Sequence, residues 1–191
     1  FIMVFAVAFC SCDSDKKTDE ATQPEANNTP AVTAEEITLR INEFSTSNTQ
    51  TLADKDGDFV GWVEIYNYGK TTVSLEGLSL SDNEDKPDKW SFPNIEIKKD
   101  EYLLVYLSNS DTEYKEGEEL YADFSLSNKD DSIGIYRGKE VINRCDVVEL
   151  ISNLSFGYTK DGKYLYFPKA TPGKENTIEG FDKIGSANMC K

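Results

Sequence analysis

The run Trp62-Val63-Glu64-Ile65-Tyr66 decides the fold class of this chain. Side chains alternate in character along it, so Val63 and Ile65 point to one face of a strand and Glu64 and Tyr66 to the other. One face belongs to a core, and the acidic side chains are expected to stay in solvent. The run therefore predicts a β-sheet that packs on one side.

Short runs of this kind continue along the chain from residue 37, and none keeps the 3.6-residue period of a helix. Turn sequences rich in Gly, Asn and Asp separate them, as in Lys160-Asp161-Gly162-Lys163. The predicted strands are 37–44, 61–68, 72–75, 78–81, 89–92, 102–108, 121–126, 132–136, 141–148, 155–158 and 164–167. Many short strands joined by such turns indicate an all-β sandwich or barrel.

Composition narrows the classes of function. The chain has 191 residues, 38% of them hydrophobic, which suits one core and leaves no room for a second full-sized domain. Its net charge of -15 repels phosphate polymers, so nucleic acid is not an expected partner. Histidine, the commonest general base, is absent from the sequence. We therefore predict that the protein is not an enzyme and assign no catalytic residue.

A series of ordered motifs resembles one known family. The motifs are Ile41-Asn42-Glu43-Phe44, residues 62–67, 73–82, 89–93, 102–106, 124–127 and 132–136, and the final run Thr171-Pro172-Gly173-Lys174-Glu175-Asn176. In this order and spacing they look like the lamin tail domain family as found in bacteria, with a likeness that extends over residues 37–176. The resemblance implies an immunoglobulin-like β-sandwich. Bacterial members look like exported accessory modules, often joined to secreted nucleases, phosphatases or kinase-like proteins.

The first residues predict export. Residues 1–9 are all apolar, too few to cross a bilayer but typical of the apolar region of a secretory signal. Ser11-Cys12 then resembles a bacterial lipobox, in which a small residue precedes the cysteine that receives lipid, so Cys12 is the predicted lipidation site. An ordinary cleaved signal and a buried N-terminal strand remain as alternatives. Because neither Met nor a basic residue precedes the apolar run, we expect a missing upstream segment.

Composition also divides the chain into segments. Residues 1–11 are the remnant of the signal peptide, and residues 12–36 form a lipid-anchored, flexible acidic linker that is almost free of apolar side chains. The lamin-tail β-sandwich takes residues 37–176, and residues 177–191 are a C-terminal tail. After Cys10 leaves with the signal and Cys12 is lipidated, Cys145 and Cys190 remain. A disulfide between these two and a pair of free thiols are both open.

One loop has the carboxylate density that calcium favours. Asp54, Asp56 and Asp58 follow each other at every second position, and carboxylate oxygens are preferred ligands of this ion. The loop departs from an EF-hand, because Phe59 and Ile65 stand where that motif needs Gly and Glu. A solvated turn is the alternative interpretation. Calcium is the one cofactor that the sequence suggests.

These observations favour a cell-surface lipoprotein with a non-catalytic module. We expect it to bind a protein or a polysaccharide, or to take part in envelope assembly, through aromatic side chains of a sheet face or through loops. It is expected in the bacterial cell envelope, exported and held to the membrane by its lipid, facing the periplasm or the outside. The alternative is an accessory domain of a longer envelope enzyme, a nuclease, phosphatase or kinase-like protein, whose catalytic part is missing from this sequence.

Overall fold

The computed structural model describes residues 37–110, 112–128, 132–177 and 179–184, and in these ranges the chain folds into β-strands and loops. No helix in these ranges has the length and apolar character needed to cross a membrane. The strands are β1 (Leu39–Ser45), β2 (Gly61–Asn67), β3 (Val73–Ser74), β4 (Ser79–Ser81), β5 (Trp90–Ser91), β6 (Glu96–Ile97), β7 (Tyr102–Leu107), β8 (Leu120–Ala122), β9 (Ser132–Arg137), β10 (Glu140–Asp146), β11 (Ser155–Tyr158) and β12 (Tyr164–Phe167).

Two larger sheets and a short ribbon make up the fold. The six-stranded sheet has the order β12-β11-β1-β2-β7-β8, the four-stranded sheet the order β10-β9-β4-β5, and β3 pairs with β6. The pairing is antiparallel apart from β7 and β8, which run parallel. The strands therefore lie close to their predicted positions. The two-residue strand β6 was not predicted, and the predicted strand 121–126 is limited to Leu120–Ala122.

The main core lies between the two larger sheets. Ile41, Val63 and Ile65 of the six-stranded sheet are fully buried in one cluster with Leu80 and Ile135 of the four-stranded sheet. Burial of a side chain of this size stabilises the fold by about 1.5–3 kcal/mol. The alternation seen in β2 thus has the predicted cause, and the all-β sandwich is confirmed.

The opposite side of the six-stranded sheet, its outer face, is covered in part by loops. Trp62 is fully buried there and packs with Tyr106, Tyr121 and Ala170. Leu52, Val60 and Leu104 pack against the same cluster. The outer face is therefore not simply a solvated surface, and this changes the expected surroundings of its polar side chains.

A β-bulge in β1 sets which polar residues meet on that face. The pairing of β1 with β2 shifts between Ile41 and Glu43, and beyond the shift Glu43 lies opposite Glu64. On its other side Glu43 lies opposite Gly157 of β11. Bulges redirect side chains locally, and this one brings two carboxylates together in the middle of the sheet.

Candidate functional site

Two carboxylates, those of Glu43 and Glu64, are buried on the outer face. Both side chains have 0% of their surface exposed, which corrects the expectation that the acidic residues of the strands face solvent. Neither forms an ion pair with any residue that the structure describes. A buried carboxylate without a cation depends on hydrogen-bond donors, so the donors define the role of this pair.

Glu64 accepts hydrogen bonds from two directions. The side-chain amide of Asn42 donates to Oε1 at 2.8 Å, and the backbone N–H of Gly173 donates to Oε2. Asn42 belongs to the neighbouring strand β1, whereas Gly173 lies far along the chain after β12. One carboxylate thus joins the middle of the sheet to a C-terminal segment.

Glu43 reaches the same segment. Its Oε1 accepts a hydrogen bond from the hydroxyl of Ser155, and its Oε2 accepts one from the backbone N–H of Thr171 at 3.1 Å. Residues 171–176, which we call the closing turn, are therefore held to the sheet by both carboxylates. Gly173 in this turn has a φ of 77°, a backbone conformation that favours glycine.

Asn176 fixes the end of the closing turn. Its side-chain amide donates to the carbonyl oxygen of Asn42 at 3.2 Å and to that of Tyr158 at 3.0 Å. A Cβ atom at Gly157 would lie 2.6 Å from Nδ2 of Asn176 and 3.0 Å from Cγ of Glu43. Because Gly157 has no side chain, the closing turn can pack directly against β11.

Burial raises the pKa of both carboxyl groups. The pKa of Glu64 rises to about 7, and its hydrogen bonds from Gly173 and Asn42 offset only part of that effect. The pKa of Glu43 is also raised by burial. Raised carboxyl pKa values are common in acid–base catalysis. Here, however, the side chains have no exposed surface, so no substrate reaches them and their geometry fits an anchor for the closing turn.

Next to the anchored part, the outer face carries an arginine surrounded by tyrosine rings. The guanidinium carbon of Arg40 lies 4.2 Å from the ring centroid of Tyr158, 4.8 Å from that of Tyr66 and 5.6 Å from that of Tyr68. Tyr102 stacks on Tyr66 with the two ring centroids 4.4 Å apart. We call these five residues the tyrosine patch. Cation–π contacts of this kind hold the arginine in place without neutralising its charge.

The tyrosine patch is open to solvent. Tyr68 is 50% exposed. Arg40, Tyr66, Tyr102 and Tyr158 are half-buried. The hydroxyl of Tyr66 donates to Asp100 at 3.2 Å. Rings with polar tips on an uncovered sheet face are typical of a contact surface.

Comparison with known proteins agrees with this architecture. A family model described as Lamin Tail Domain matches residues 33–149. The chain belongs to the lamin tail domain family. No curated protein was found to match it. The predicted family and its immunoglobulin-like sandwich are thereby confirmed, and the family match includes Arg40, Glu43 and Glu64 but stops before the closing turn.

The acidic loop of this lamin tail domain is organised by its own backbone. Oδ1 of Asp54 accepts hydrogen bonds from the N–H groups of Asp56 at 3.0 Å and Asp58 at 2.9 Å. The carboxylate of Asp56 pairs with Lys55 at 2.9 Å. In the described part of the chain no group of three or more acidic, Cys or His side chains is placed to hold a metal ion. The calcium prediction for Asp54, Asp56 and Asp58 gains no support from this geometry and remains a prediction.

The cysteines of the lamin tail domain are only partly described. Cys145 is buried and forms no disulfide within the described residues, and burial raises the pKa of its thiol to about 12. Cys190 lies outside the described residues, and the predicted disulfide therefore stays a prediction. Cys12, the predicted lipidation site, also lies outside them.

Sequence reasoning placed some of these residues well and missed others. Glu64 and Tyr66 do lie on the face opposite the main core, and the tyrosines were recognised as candidates for a contact surface. The burial of Glu64 and the central position of Arg40 were not predicted. The signal available in the sequence was the alternation of Leu39, Arg40 and Ile41, which puts Arg40 on the face opposite the two apolar side chains.

Proposed function

We propose that this chain is a non-catalytic binding module that contacts its partner through the tyrosine patch. The observation that carries the proposal is an exposed part of the sheet face where Arg40 packs against three tyrosine rings and Tyr68 is half exposed. Large aromatic side chains and arginine dominate binding energy at protein surfaces. The neighbouring carboxylates of Glu43 and Glu64 are buried and accept hydrogen bonds from the closing turn, so they are not accessible to a partner. The tyrosine patch beside them is accessible.

The partner class is a protein or a polysaccharide at a cell surface. Tyrosine rings offer flat faces for sugars or apolar side chains, and their hydroxyl groups offer hydrogen bonds. Nucleic acid is disfavoured because the chain has a net charge of -15. Because the proposal needs no reaction centre, it also agrees with the absence of histidine from the sequence.

We further propose that the module is a bacterial envelope lipoprotein attached through Cys12. The apolar residues 1–9 and the Ser11-Cys12 pair support this localisation. Growth with an alkyne-bearing fatty acid would label the full-length protein, and Cys12→Ser would abolish the label. Cys10→Ser is the matched control and should keep it. A label that survives Cys12→Ser rules out this anchor.

The binding proposal is tested with two exposed aromatic residues. Tyr68 in the patch and Phe59 in a distant loop are 50% and 44% exposed. Binding of the full chain to isolated cell envelopes and to their purified polysaccharides should weaken on the order of tenfold with Tyr68→Ala and remain unchanged with Phe59→Ala. Equal binding by the wild type and Tyr68→Ala removes the patch from the proposed function.

A further inference from the structure

The charge of Arg40 is not compensated by the part of the chain that the structure describes. Its side chain takes part in no hydrogen bond or ion pair there, and its contacts are with ring faces. Nε is buried without a partner. The terminal nitrogens also lack partners but are not among the buried atoms, so they reach solvent. An arginine carries five N–H donors in a planar fork, and here the open end of the fork faces outward.

The acidic groups nearest the patch do not supply the missing anion. Asp100 accepts a hydrogen bond from Tyr66 and lies 3.4 Å from the ammonium group of Lys99. Glu175 lies 3.9 Å from the ammonium group of Lys160. Asp100 and Glu175 thus have cations of their own, and Glu64, the third carboxyl group near Tyr102, is buried and accepts its hydrogen bonds from Asn42 and Gly173. One positive charge therefore remains against the tyrosine rings.

We propose that Arg40 receives the carboxylate of an isolated uronic acid in an otherwise neutral polysaccharide, whose sugar ring packs on the exposed ring of Tyr68; a densely charged polymer would be repelled by the net charge of -15. This inference rests on the proposed function and names the ligand class of the same surface. The planar fork of an arginine matches a carboxylate with two parallel hydrogen bonds. A uronic acid carries one negative charge, which matches the single positive charge of Arg40. The flat rings beside Arg40 suit a sugar ring, which has one apolar face and hydroxyl groups at its edge.

The test uses the full chain, and its probe is a largely methyl-esterified polygalacturonic acid in which isolated carboxylates are free. The wild type should bind this free polymer, and methyl esterification of the remaining carboxylates should weaken binding on the order of tenfold, because the charged hydrogen bonds are lost. Poly-glutamate, an acidic polymer without sugar rings, should bind much less tightly than the free polymer.

Two arginine variants locate the effect. Arg40→Gln should bind the free polymer as weakly as the wild type binds the ester. Arg144→Gln is the matched control, because Arg144 lies in β10 and pairs with Glu84 and Asp146 at 3.7 and 3.5 Å. It should bind like the wild type. If Arg40→Gln lowers the melting temperature strongly, the comparison of free and esterified polymer on the wild type decides alone.

The inference is overturned by equal binding of free and esterified polymer, by no binding of either, or by tight binding of poly-glutamate. In each of these cases the proposed function still stands if Tyr68→Ala weakens attachment to cell envelopes. If Tyr68→Ala leaves that attachment intact, the proposed function fails, whatever the polymers do.

Discussion

Two parts of the outer face differ in whether their ionisable side chains have hydrogen-bond partners within the chain. Under the closing turn, Glu43 and Glu64 have no exposed surface and every donor they use comes from the chain itself. In the tyrosine patch, Arg40 is held by rings and has no hydrogen-bond partner among the described residues. A polar group whose hydrogen-bond partners all lie within the chain has no free donor or acceptor for a ligand. This difference distinguishes the scaffold under the closing turn from the contact surface of the tyrosine patch.

The largest expected effect is on the covered part. Trp62 is fully buried beneath Ala170 and the loop that carries Leu52 and Val60. Trp62→Ala should lower the free energy of unfolding by about 3–5 kcal/mol, because it leaves a cavity that the strands cannot close. Urea denaturation followed by circular dichroism measures this value. A loss below about 1 kcal/mol would mean that the loop does not cover the sheet in solution.

A smaller loss is expected when the closing turn is released. Asn176→Ala leaves the buried carbonyl group of Asn42 and the partly buried one of Tyr158 without their donor, which should cost about 2–3 kcal/mol. Asn94, an exposed residue, provides the control, and Asn94→Ala should unfold like the wild type. If the two variants have the same unfolding midpoint, the closing turn does not anchor the fold.

The buried carboxylates also predict how stability depends on pH. Burial raises the pKa of Glu64 from its ordinary value of 4.5 to about 7 in the folded state, so the folded protein binds a proton more tightly than the unfolded chain. Stability from this group is full below pH 4.5 and is lost as the pH rises through about 7. The gain between pH 8 and pH 5 should be about 1–3 kcal/mol.

Urea titrations at several pH values check this dependence. Glu64→Gln removes the titrating group, so its stability should change less between pH 8 and pH 5 than that of the wild type. A wild-type stability that falls steadily as the pH drops over this range would contradict the prediction, because it would show that the fold stabilises the ionised carboxylate of Glu64.

The smallest effect on stability is expected for a substitution in the tyrosine patch. Tyr68 is half exposed, and Tyr68→Ala should change the free energy of unfolding by no more than about 0.5 kcal/mol. The same variant is expected to weaken binding to cell envelopes on the order of tenfold. A destabilisation comparable with that of Asn176→Ala would erase the contrast between the two parts of the sheet face.

The sequence was sufficient to predict the fold and the face of β2 that carries Glu64. Alternation in β2 identified the core face and the face of Glu64, because side-chain direction in a strand is a local property. The burial of Glu64 was out of reach, since its cover comes from Gly173, which is distant in sequence. Strand β6 was missed because two residues, Glu96 and Ile97, carry no periodic pattern.

The acidic loop shows the same limit of prediction from sequence. The carboxylates of Asp54, Asp56 and Asp58 predict an ion site, and this stays a prediction, because residue type does not reveal which oxygens accept hydrogen bonds from the backbone. Oδ1 of Asp54 accepts two N–H groups of its own loop. Whether an oxygen is free is a property of the folded turn and not of the composition.

The position of β1 has a kinetic consequence. This strand, which is synthesised before the other strands that the structure describes, lies between β2 and β11, so one of its two partners is synthesised more than 100 residues later. Pairing between such distant segments is slow because a long loop must close first. The nascent chain should therefore stay protease-sensitive until the closing turn has emerged, and then fold in a single late step.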